Sequence, residues 1–112
     1  MLTGLEQENQ QLKQENKELR RRSLQNKIQL LQIQVTQLEA SVEQNKQALD
    51  IANELINDGI EIDAQNYKDY DEAIATSQKL ITSCQSKISS LEKQLVKLDE
   101  QQTIVTQQQT QL

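Results

Sequence analysis

The side chains that could carry chemistry are few. Histidine is absent and Cys84 is the single cysteine, so the commonest general base and metal ligand is missing and one sulfur cannot assemble a zinc site. Cys84 reads either as an intermolecular disulfide or redox sensor, or as a small core hydrophobe. The second is favoured, because free cysteine is among the most buried residue types. Asp58, Glu61, Asp63, Asp69, Asp71 and Glu72 form an acidic group that could hold a divalent cation. Their spacing misses the calcium-loop pattern, and a solvated turn leading into a negatively charged helix start accounts for them more simply. Tyr67 and Tyr70 read as seam residues beside that turn. The basic run Arg20 to Arg22 could contact phosphate or an acidic partner, but reads first as a solvated flank, with Arg20 paired to Glu15. No glycine-rich phosphate loop or nucleophile motif occurs, and a coiled coil offers no concave substrate pocket. The expectation is no enzyme, no cofactor and no metal.

The elements that must position these residues are helices. The chain has 112 residues, 35% hydrophobic, with no Phe, Trp or Pro and only two Tyr. That is at most one domain's length, without the large aromatics that fill a globular core. Gln, Leu, Glu, Lys and Ile dominate and only two glycines interrupt, which is the composition of long helices and coiled coils. The formal net charge is -5, so no diffuse positive field exists to hold a polyanion, and nucleic acid is an unfavoured partner. No apolar run approaches the roughly 20 residues needed to span a bilayer. A lone cysteine, no Asn-x-Ser/Thr acceptor and no secretion signal point to a reducing, intracellular and cytoplasmic setting.

Leu5, Leu12 and Leu19 recur every seventh residue. Taking them as position d of a heptad assigns Leu2, Asn9, Asn16 and Ser23 to position a. Asparagine at a is tolerable in a parallel, in-register pair, where each amide bonds its symmetry mate across the seam. It lowers stability and penalises other registers and higher oligomers. The flanking charges agree: Glu8 at g faces Lys13 at e of a parallel partner, and Glu15 faces Arg20.

This stretch resembles the leucine zipper of basic-zipper transcription factors in its heptad leucines, its asparagines at a and its g-to-e charges, over residues 2 to 20. In those factors a basic region lies directly N-terminal to the zipper. Here only Met1 precedes it and the arginines follow, so the resemblance implies dimerisation rather than DNA binding.

From Leu24 the phase changes, five residues after Leu19, and a 4-3 series begins: Leu24, Ile28, Leu31, Val35, Leu38, Val42, Asn45, Leu49, Ala52, Ile56. Leu30 and Ile33 lie off this stripe, at c and f, and widen the apolar surface towards a third or fourth helix. "NDGIEID", Asn57 to Asp63, is the clearest punctuation, since Asp-Gly is a turn pair and Asp63 can cap a new helix. A third series follows: Tyr67, Tyr70, Ile74, Ser77, Ile81, Cys84, Ile88, Leu91, Leu95, Leu98, Gln102, Val105. It fades into a glutamine-rich end. Folding at Gly59 matches Leu49 with Tyr70, Leu38 with Ile81, Leu31 with Ile88 and Leu24 with Leu95, in arms of roughly 50 Å at the usual helical rise. A helical hairpin is favoured over one unbroken parallel rod in which Ile56, Ile60 and Asp63 bridge the phases as a stutter.

The predicted fold is therefore all-α, an elongated coiled coil with helices over about residues 3–56 and 63–106. It divides into a parallel zipper segment (1–22), a coiled-coil helix (23–56), a turn or stutter (57–63) and a second helix with a glutamine-rich end (64–112). The leading functional expectation is a structural scaffold for homodimerisation and protein-protein assembly, as a dimer or a four-helix bundle. Its expected dimer interface comprises Leu5, Asn9, Leu12, Asn16, Leu19, Ile28, Leu31, Val35, Leu38, Ile81, Ile88, Leu91 and Leu95, with Leu30 and Ile33 binding a partner. The alternative is a helical binding module or a subunit of a larger hetero-complex, acting as adaptor, tether or regulator with another coiled-coil protein. A fragment of a basic-zipper-type nucleic-acid regulator is a third reading.

Overall fold

In the computed structural model the backbone is described for residues 3–110 and the side chains for residues 3–100. The fold is all-helical, with no strand among the described residues: α1 runs Gly4–Asn57 and α2 runs Ala64–Thr110. The reason is local. Long stretches of Gln, Leu, Glu and Lys lose little side-chain freedom in a helix, and no proline removes a backbone donor.

Each boundary has an identifiable device. At the start of α1 the Thr3 hydroxyl accepts from the Glu6 amide at 3.2 Å, satisfying one of the amides that a helix start leaves orphaned. At its end, Gly59 adopts a left-handed φ of 84°. The Gly59 amide donates to the Ile56 carbonyl at 3.0 Å and the Ile60 amide to the Leu55 carbonyl at 2.9 Å. Those two bonds with a left-handed glycine make a Schellman motif, which closes the last turn and forbids continuation. Asp63 then caps α2: its carboxylate accepts from the Gln65 amide at 3.0 Å, and its carbonyl from the Asn66 amide at 3.1 Å.

Two compact units result, one made of Met1–Leu30 with Ile88–Leu112 and the other of Leu31–Lys87. In the first, Leu24, Ile28 and Leu98 are buried and Ile88, Leu91 and Leu95 are half-buried. There the Arg21 guanidinium of α1 pairs with the Asp99 carboxylate of α2. In the second unit Val42, Ala52, Ser77 and Cys84 are buried, while Leu31, Val35, Leu38, Asn45, Leu49, Ile74 and Ile81 are half-buried. Here the Cys84 thiol of α2 donates to the side-chain carbonyl of Gln34 on α1 at 3.8 Å.

Beside the turn the structure departs from the expected series. Leu55 and Ala73 are half-buried, whereas Ile56 and Tyr70 are exposed. The Schellman bond to the Leu55 carbonyl ends α1 at this point, and Ile62 in the loop is also half-buried. Heptad spacing does not encode this exchange.

Candidate interaction surface

Several of the groups with chemical potential make structural contacts. Within the acidic group, Asp63 is the α2 cap, Asp69 accepts from the Gln65 side-chain amide at 2.9 Å, and Glu72 lies 3.9 Å from the Lys68 ammonium. Among the described residues no cluster of His, Cys, Asp and Glu could hold a metal ion. Cys84 is free and buried, set in the seam of its unit. Tyr67 is half-buried and Tyr70 exposed, so neither frames a cavity. Among the described residues, one surface depression lies against Glu8, Gln11, Leu12 and Glu15 and another against Ala75, Gln78, Lys79 and Thr82, each along one helix.

The arginine cluster has partners within the chain. Arg21 bonds Asp99 and lies 3.7 Å from Glu18, and Arg22 lies 3.4 Å from the same Glu18. Glu15 accepts from the Gln11 side-chain amide at 3.2 Å. Arg21 is thus a helix-to-helix contact. Exposed pairs of this kind contribute at most about 1 kcal/mol each.

What remains is an apolar row with nothing over it. Leu5 is 69% exposed, Leu12 55% and Leu19 62%, and Asn9 and Asn16 between them are exposed as well. Further along α1, Leu30 is 67% and Ile33 48% exposed. The other residues expected at an interface are already covered within the single chain: Ile28 is buried, and Leu31, Val35, Leu38, Ile81, Ile88, Leu91 and Leu95 are half-buried. Single exposed leucines are ordinary on a protein surface; a row of them at constant spacing is a candidate interaction face.

Some of this arrangement was not anticipated from the sequence. Thr3 and Glu6 carry the spacing of a capping box, a signal that was present and unread. The exposed Leu80 and Val96 of α2 lie off every counted series. Among the described residues no helix is long and apolar enough to cross a membrane. In comparisons with known proteins, no family model, curated protein or solved structure matches the chain.

Proposed function

We propose that this chain is a helical oligomerisation scaffold, in which α1 and α2 fold against each other as an antiparallel hairpin and the leucine row of α1 joins two such hairpins. The hairpin is supported by the contact pairs. A fold-back at Gly59 predicts Leu24 opposite Leu95 and Leu38 opposite Ile81, and the observed partners, Arg21 with Asp99 and Gln34 with Cys84, fall within one residue of that register. A continuous rod has no use for either contact.

The observation that carries the scaffold reading is the exposure of Leu5, Leu12 and Leu19 at seven-residue spacing, while the 4-3 series from Leu24 to Ala52 is buried or half-buried inside the chain. Burying such a side chain is worth roughly 1.5 to 3 kcal/mol, so three leucines from each copy supply a strong drive to associate. Asn9 and Asn16 then restrict the product to two parallel helices. The outcome is a dimer of hairpins, with assembly as its activity rather than turnover.

The second reading is a helical binding module in a hetero-complex, favoured by the exposure of Leu30 and Ile33. Sedimentation equilibrium at several concentrations, with circular dichroism in parallel, separates the two. The scaffold reading expects a helical dimer for the wild type and a helical monomer for Leu12→Glu. A wild type that stays monomeric at every concentration refutes it.

A further inference from the structure

We propose that the homodimer contact does not stop at Leu19. It runs on in the same heptad phase to Leu30, so that a second copy of this chain, parallel and in register, covers the outer face of α1 throughout the unit of Met1–Leu30 with Ile88–Leu112. The inference rests on the scaffold reading and deepens it by fixing the extent, occupant and polarity of the contact.

Counting sevens from Asn9 gives Asn16, Ser23 and Leu30 at a; counting from Leu5 gives Leu12, Leu19 and Asn26 at d. By count alone Ile33 is the next d. The five-residue step from Leu19 to Leu24 is therefore no end to the first row. Leu24 opens a second row on another side of the same helix, and the first row continues beside it. At 3.6 residues per turn Leu5, Leu12, Leu19 and Leu30 lie about 100° to 180° around α1 from Leu24 and Ile28. Residues 3–16 are exposed on every side of α1, and from Lys17 to Leu30 burial falls on one side only. Leu24 and Ile28 are buried, whereas Leu5, Asn9, Leu12, Asn16, Leu19, Ser23, Asn26 and Leu30 are all exposed. Leu30, read as off-stripe when the second series is taken as the frame, is on-stripe in the first.

The occupant is argued from charge and from the polar layers. In a parallel pair Glu8 faces the partner's Lys13 and Glu15 faces the partner's Arg20, twice each by symmetry. The in-chain ion pairs of this unit use Glu18, Arg21, Arg22 and Asp99 and none of those four. Arg22 and Lys27 meet as like charges, and Glu18 offsets this from 3.4 Å. Asn9, Asn16, Ser23 and Asn26 each meet their own counterpart only when the second helix is the same sequence, parallel and unshifted. An antiparallel copy or a foreign apolar helix sets leucine against these amides and leaves them unsatisfied.

The test uses the full-length chain and sedimentation equilibrium of wild type, Leu12→Glu, Leu30→Glu and Asn26→Leu. Because Leu30 and Asn26 are exposed in the single chain, neither substitution disturbs the hairpin, and circular dichroism checks this. The expected results are a dissociation constant raised at least about tenfold by Leu30→Glu and lowered about tenfold by Asn26→Leu. For polarity, Leu30→Cys in a Cys84→Ser background should form an intersubunit disulfide on mild oxidation, since facing a positions of a parallel pair fall within bridging distance. If Leu12→Glu dissociates the dimer while Leu30→Glu changes nothing, the zipper reading stands and its extension is overturned. If the dimer forms but Leu30→Cys yields no disulfide, the parallel register is overturned. A monomeric wild type overturns the scaffold reading and this inference together.

Discussion

Replacing Gly59 by alanine separates a hairpin from a rod by the sign of a stability change. Gly59 sits at φ 84°, where an L residue carries a penalty of roughly 1–2 kcal/mol. A Cβ built there meets nothing within 4 Å, so no clash adds to that penalty. Alanine also restricts the unfolded chain, which returns about 0.4–1 kcal/mol. The net expectation is a loss of about 1 kcal/mol, roughly a fivefold fall in the folded ratio and a few degrees in the melting temperature. Were residues 55–65 part of one continuous helix, the same change would stabilise by about 1 kcal/mol, because alanine is the better helix former. Urea unfolding of Gly59→Ala in the Leu12→Glu background removes dissociation from the measurement. A gain in stability would refute both the Schellman geometry and the hairpin. Asparagine tolerates the left-handed region, so Gly59→Asn should lose less than Gly59→Ala.

Three further outcomes are expected. Asp63→Ala should lower stability by about 1 kcal/mol and Asp63→Asn by much less, since the amide oxygen can still accept from the Gln65 amide; urea unfolding at fixed pH reads both. Asn9→Ile with Asn16→Ile should raise the melting temperature while admitting species larger than the dimer, visible by light scattering, because in the proposed dimer these amides trade stability for specificity. A double variant that stayed strictly dimeric and melted lower would remove these residues from the seam. Cys84, buried in the single chain, should react with an aromatic disulfide reagent far more slowly than denatured protein, at a rate that rises with urea as the helices open; immediate labelling of native protein would contradict its burial.

The all-helical fold was legible because every contribution to it is local: no proline, strong helix formers, and hydrophobic spacing that fits no strand. The break at Asp58 and Gly59 was legible for the same reason, since a left-handed residue followed by an acidic cap is written in adjacent letters. What escaped depends on the third dimension. The half-burial of Leu55 and Ala73 in place of Ile56 and Tyr70 beside the turn is not encoded in heptad spacing. The Arg21 to Asp99 pair joins residues far apart in the chain, and heptad spacing does not encode it. The position of Leu30 shows a different limit. Two heptad rows in different phases overlap on one helix, and a single-stripe reading sees a change of phase where there is a second face.

In the proposed hairpin the loop from Asp58 to Asp63 also sets the effective concentration at which α1 and α2 meet. Their contacts within each unit are modest, a narrow seam with few wholly buried side chains, and they form because a short tether holds one helix beside the other at what amounts to a very high local concentration. Glu61 is exposed in that loop and is the only glutamate between the helices, which makes its peptide bond the place where a glutamate-specific protease would cut between them. A single nick there would break no contact between α1 and α2, yet it would turn their pairing from an intramolecular equilibrium into one that falls apart on dilution.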